Sequence, residues 1–252
     1  MKSPLPLLLL ATLLAAAPAP HSTVWLVGDS TMADKPTPET NPERGWGQLL
    51  PRYVDATVTV RNRAMNGRST RSFISEGRWD AVRDSLKAGD VVLIEFGHND
   101  EKTEDSTRYT NPYTGYRRNL ERFVTESRAR GASPVLLTPI VRRKFNEQGT
   151  LVDTHGAYPL VVRDVARDLK VPFVDLQLLT EDLVRAAGVE GSKSLYVWVA
   201  PGTSPMYPEG RQDDTHLSVA GATEVARLAA AAMRELPIGL ARHLVGTSQT
   251  RH

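Results

Sequence analysis

Short, uninterrupted apolar runs recur along this chain, separated by stretches in which apolar residues return at helical spacing. The runs fall at residues 24–27, at 58–60 continuing toward Arg61 and Asn62, at 91–96 ("VVLIEF"), at 134–140 and at 171–176. Runs that do not alternate with polar residues predict strands covered on both faces. The helical stretches are residues 46–54, 78–87, 113–130, 159–169 and 218–236, the last with Ser218 as N-cap. Strands alternating with helices need crossover connections and a parallel sheet, so the pattern predicts one three-layer α/β/α sandwich on five parallel strands. Residues 141–155 and 192–214 read as loops, and the tail from residue 239 to 252 as loosely held.

Composition narrows the class. In 252 residues, 40% are hydrophobic and 24% charged, which suits one folded domain. A net charge of +2 gives no reason to expect a nucleic-acid partner. With no cysteine, disulfides, thiolate catalysis and cysteine-bound zinc are excluded. Residues 1–20 begin with Lys2 and continue as an apolar run too short for a bilayer span. They read as a secretory signal cleaved near residues 17–21, followed by a single domain over 21–238. The expected location is therefore outside the cytoplasm, periplasmic or extracellular.

Ligands of open parallel sheets bind beyond the carboxyl ends of the strands. Three polar, glycine-marked turns fall on that edge: Gly28-Asp29-Ser30, Asn66-Gly67-Arg68 and Gly97-His98-Asn99-Asp100. Taken alone, the first is a common turn composition. A serine nucleophile needs a base and donors for the oxyanion. His216, with Asp213 three residues ahead and Asp214 as the alternative partner, has the best setting for the base. Ser30 N–H, Gly67 N–H and the Asn99 amide are the candidate oxyanion donors.

These residues, in this order, resemble the four blocks of the SGNH, or GDSL-type, hydrolases: Ser30, Gly67, Asn99 and His216. "GDSTMAD", "GWGQ" (residues 45–48), "NGRSTRSF", "FGHND", "TPIVRRKF" and "THLSVAGA" resemble the rhamnogalacturonan acetylesterases in particular. The resemblance implies a flavodoxin-like sandwich and removal of acetyl groups from pectic polysaccharide without a cofactor or metal. It also implies Ser30 as nucleophile, His216 as general base and acid, Asp213 as its orienting carboxylate, and an oxyanion hole of Ser30, Gly67 and Asn99. Arg68, Arg71, Arg142 and Arg143 are candidates for binding galacturonate carboxylates, and Trp198 for the cleft wall. The expected partner is an acetylated polysaccharide or oligosaccharide, with the chain acting as a monomer and free of the membrane once the signal is removed. Rival readings are a lipase- or thioesterase-like esterase on longer acyl groups and a non-catalytic polysaccharide-binding protein.

Overall fold

The computed structural model describes residues 23–246, so the proposed signal segment lies outside the described residues. Five parallel strands form the sheet in the order β2-β1-β3-β4-β5. They are β1 (Thr23–Gly28), β2 (Thr59–Asn62), β3 (Val91–Glu95), β4 (Ser133–Leu137) and β5 (Phe173–Val174). The expected strands are all present, although β4 and β5 are shorter than their apolar runs. The run at 171–176 ends early because Asp175 caps a helix, accepting from Leu178 N.

Alternate residues of each strand enter different cores. Val24 and Leu26 of β1 and Leu93 of β3 pack with α1 (Trp46–Leu49), α6 (Leu176–Gly191) and α7 (Val219–Arg234). Trp25 and Val27 of β1 and Ile94 of β3 pack with α2 (Thr70–Ser75), α3 (Arg78–Ser85), α4 (Arg117–Ala129) and α5 (Tyr158–Asp168). Both faces are thus covered over β1, β3 and β4, which is why these strands read as unbroken apolar runs; β2, at the edge, stays partly exposed. In this strand order β1 lies between β2 and β3, so the chain leaves β1 at the point where the winding reverses, the place at which open parallel sheets bind ligands.

Three expectations need correction. The segment 192–214 is not all loop: β6 (Tyr196–Val199) pairs antiparallel with β7 (Arg211–Leu217), leaving residues 200–210 as the tip of a ribbon. β7 reads RQDDTHL, so no apolar alternation announces it; the ribbon is held instead by its paired backbone and by buried Leu217 and Tyr196. Two helices escaped the periodicity. One is short α2, closed by a reciprocal Ser69–Ser72 capping box, and the other is α6. Finally, residues 239–246 are not loose: Leu240 is fully buried, Asp55 N donates to His243 O (2.8 Å) and Val245 N to Tyr53 O (2.9 Å).

Candidate active site

The stretch after β1 is shaped by two glycines of a later segment. A Cβ on Gly45 would lie 2.2 Å from Ala33 O, and one on Gly47 would lie 2.6 Å from Met32 O. The "GWGQ" segment can therefore press directly against the backbone of Met32 and Ala33. Trp46 N donates to Thr31 O (2.8 Å), and Gln48 brackets Lys35, accepting from its N–H and donating to its carbonyl. Asp29 Oδ1 accepts from both the N–H (2.9 Å) and the hydroxyl (2.8 Å) of Thr31, which fixes the turn that presents Ser30.

The candidate base comes from the ribbon. Tyr196 pairs with Leu217, yet the next residue, Val197, pairs with Asp213. The three residues between, Asp214, Thr215 and His216, bulge out of the ladder, and such bulges re-aim side chains. His216 Nε2 lies 2.9 Å from Ser30 Oγ, and its Nδ1 lies 2.9 Å from Asp213 Oδ2. In the neutral ring with the proton on Nδ1, His216 donates to Asp213 and accepts from the Ser30 hydroxyl. Asp213 Oδ1 also accepts from the N–H groups of Thr215 and His216, and Oδ2 from Arg211. Burial pushes this carboxyl up, but the bonds from the His216 ring, Arg211 and the backbone outweigh it and hold it far below the usual carboxylate range. Asp214 points elsewhere, to Arg143 and the Trp198 indole N–H.

Among the described residues, no acceptor meets the N–H of Ser30 or of Gly67. Gly67 sits at φ +75°, a conformation that glycine adopts without strain. Met65 N donates to Gly28 O, tying the Gly67 turn to the end of β1. Asn99 Nδ2 donates to Arg68 O (3.1 Å), so one of its two amide hydrogens remains for a ligand. Ser30, Gly67, Asn99, Asp213 and His216 are thereby gathered at one edge of the sheet.

The other candidates divide. Arg68 and Arg71 stand at the surface beside Gly67, Arg68 paired with Glu76 and Arg71 reaching Tyr109 O. Arg142 is paired with Glu101 and donates to His98 O and Thr154, bracing the loop after β3. Arg143 is buried, bound to Asp214, Ser192 and Val189 O, and is not presented to a ligand. The ring of Trp198 has the Arg143 guanidinium at 4.9 Å and Lys193 Nζ at 4.7 Å from its centre, so cations already occupy its surroundings. Sequence reasoning missed Arg108, whose Nη1 lies 3.4 Å from Asn99 Oδ1 and would lie 3.9 Å from a Cβ placed on Gly67. It also missed Lys35. Neither has a local pattern: each matters through loops distant in sequence.

Behind the site, Glu95 closes β3 in full burial, with Trp46 Nε1 donating to its Oε2 (2.8 Å). Burial, helped by the Asp29 charge, pushes its carboxyl up to about 8, against bonds from Trp46, Ile140 and Thr31. The protonated acid can donate to Thr31 Oγ1, which in turn donates to Asp29 Oδ1, so the hydroxyl's single proton is accounted for. The folded value exceeds the ordinary 4.5, so between about pH 5 and 8 the folded chain holds a proton the unfolded chain has released. Stability should fall across that window by about 1.4 kcal/mol per pH unit from this group. In Glu95→Gln, denaturant titrations at pH 5 to 8 should show that part of the slope removed. Equal slopes in variant and parent would refute the assignment.

Residues 26–223 match the GDSL-like Lipase/Acylhydrolase family, and the chain belongs to that family. It is an enzyme, an ester hydrolase of the GDSL, or SGNH, type. Over 229 residues it is 43% identical to the rhamnogalacturonan acetylesterase RhgT of Bacillus subtilis, covering 91% of this chain and 97% of that one. It is 31% identical to the rhamnogalacturonan acetylesterase of Emericella nidulans, covering 81% of each chain. Among solved structures it is similar to the Bacillus subtilis protein YxiM (27% identity, TM-score 0.71), covering 86% of this chain and 57% of that longer one. The fold is also similar to that of the acetylxylan esterase Axe2 of Geobacillus stearothermophilus, at 18% identity and TM-score 0.57, covering 84% and 94%.

Proposed function

We propose that this protein is an exported carbohydrate esterase that removes O-acetyl groups from pectic polysaccharide, rhamnogalacturonan above all, through an acetyl-enzyme on Ser30. The observation that carries the chemistry is the hydrogen-bonded chain Ser30–His216–Asp213, at 2.9 Å for each link. The substrate rests on the identity to RhgT along nearly the whole of both chains. Export rests on the character of residues 1–20 and on the size of the polymer, which must be met outside the cytoplasm.

Ser30 Oγ attacks the acetyl carbonyl carbon while His216 Nε2 takes its proton. The tetrahedral oxyanion is held by the N–H groups of Ser30 and Gly67 and the free hydrogen of Asn99 Nδ2. The bond from carbon to the sugar oxygen breaks as His216 returns the proton to that oxygen. Water then attacks acetyl-Ser30, giving its proton to His216, and the Ser30 oxygen leaves with that proton as acetate is released. Asp213, ionised throughout, orients the ring and balances the imidazolium. Arg68, Arg71 and Arg108 line the approach to Gly67 and suit the carboxylates of galacturonate.

The test is acetate release from acetylated rhamnogalacturonan, acetylated xylan and acetylated chitin, with nitrophenyl esters of increasing chain length beside them. Fastest release from rhamnogalacturonan and a preference for acetyl over longer esters are expected. Fastest turnover of esters of eight carbons or more would overturn the carbohydrate reading.

A further inference from the structure

Lys35 is a buried cation whose every hydrogen is used. Its side chain is 1% exposed. Nζ donates to Ser30 O (2.7 Å) and Asn66 Oδ1 (2.6 Å), and pairs with Glu43 Oε1 (2.7 Å). An ammonium has three donors and no acceptor, so the group is satisfied with nothing left over. Its three partners come from three separate loops. Ser30 carries the nucleophile. Asn66 directly precedes Gly67. Glu43 forms a bridge with Ser218, two residues beyond His216, and its neighbour Arg44 donates its N–H to Leu217 O.

The bond to Ser30 O has a partner across the same peptide. That peptide's other end, the N–H of Thr31, is bound by the Asp29 carboxylate. A cation on the carbonyl and an anion on the N–H therefore fix the plane of the Ser30–Thr31 peptide, the one from which the Ser30 side chain departs. Lys35 cannot drift, because Gln48 holds its own backbone at both the N–H and the carbonyl.

Stability alone does not explain such a residue. Burying an ammonium is costly, and apolar replacements of buried ion pairs are often neutral or stabilising. What an apolar side chain cannot supply is a simultaneous tie to the nucleophile turn, the oxyanion turn and the segment beside the base. We propose that Lys35 is a positioning residue for the reaction: its ammonium sets the distance between Ser30 and the Gly67 turn, and so aligns the nucleophile with the oxyanion hole. This rests on the serine-esterase reading above. A misplacement of about an ångström at such a site costs on the order of a hundredfold in rate.

The experiment uses nitrophenyl acetate with the full chain, and rates are normalised to titrated active sites. Lys35→Met should lower kcat about ten- to hundredfold with KM changed less than about threefold. A purely structural lysine would lower the melting temperature or the yield of active sites and leave kcat per site unchanged. Rescue separates charge from bulk. The protein contains no cysteine, so Lys35→Cys provides the sole thiol. Alkylation with 2-bromoethylamine in denaturant, followed by refolding, rebuilds an ammonium of nearly the same reach and should restore most of kcat. Capping the same thiol with a propyl group should not. If Lys35→Met does not fold, exposed Asn66→Ala removes one of the three acceptors and should still lower kcat several-fold.

The proposal is overturned if kcat per site in Lys35→Met, or in Asn66→Ala where only that folds, stays within twofold of the parent. It is also overturned if the propyl cap rescues as well as the aminoethyl one. If the parent itself fails to hydrolyse the ester, or if Ser30→Ala matches it, the esterase reading fails instead.

Discussion

Ser30→Ala should abolish ester hydrolysis, with kcat lower by about a millionfold, while the protein remains folded. Loss of the nucleophile in a serine–histidine–aspartate hydrolase has an effect of that order, and what survives comes from the oxyanion donors and binding. The fold should be indifferent, because among the described residues the Ser30 hydroxyl bonds only to His216, and the tie from Lys35 to the Ser30 carbonyl survives the change. Burst kinetics with nitrophenyl acetate and far-ultraviolet circular dichroism would check both halves. Measurable turnover near the parent rate would remove Ser30 from the mechanism, whatever the geometry suggests.

Gly221→Ala should do the reverse, destabilising the fold strongly. Gly221 lies in the first turn of α7, and a Cβ there would sit 1.9 Å from Leu195 O and 2.7 Å from its carbonyl carbon. The obstruction is backbone, so no rotamer relieves it; either α7 or the start of β6 must move. Leu195 O already accepts from Ser218 N, at the cap of α7, so the same shift would break that contact. Overpacking commonly costs 1–3 kcal/mol, and a clash with backbone on this scale should cost about 3 kcal/mol or more. Gly191→Ala makes a suitable control: its Cβ would come no nearer than 3.8 Å to any neighbour and should leave stability within about 1 kcal/mol. Denaturation midpoints of the two variants would decide it. Comparable stability in both would show that α7 can shift freely.

The main sheet was legible because β1, β3 and β4 are buried on two sides and write that burial as apolar runs, whereas edge strand β2, with no buried residue, is held by its pairing with β1. The ribbon was not, since β7 takes its place from pairing with β6 and from the bulge at Asp214–His216 rather than from side-chain alternation. Helix α6 was passed over because the apolar run of β5 leads straight into it, with only the Asp175 cap marking the change. The site was legible where a residue carries its own chemistry next to a turn, as Ser30, Asn99 and the Asp213–His216 pair do. The arginines show the converse. Arg142 and Arg143 are adjacent in a loop that resembles a binding segment, yet their partners Glu101 and Asp214 lie far away in sequence and draw both into ion pairs. Lys35 is the same case in favour: Glu43, Ser30 and Asn66 make it important, and only folding assembles them.

The ribbon has a consequence for how such an enzyme can diversify. Asp213 and His216 are fixed at its base, where Val197 and Leu217 are buried and Tyr196 Oη donates to Val141 O. The tip, residues 200–210, is mostly exposed, with turns at Pro201-Gly202, Pro205-Met206 and Pro208-Glu209. Insertions there would lengthen or reshape the tip without altering the spacing of the proposed acid–base pair. The variable tip and the proposed acid–base pair thus sit at opposite ends of one hairpin, and a lineage or a designer could graft new tips onto an unchanged base.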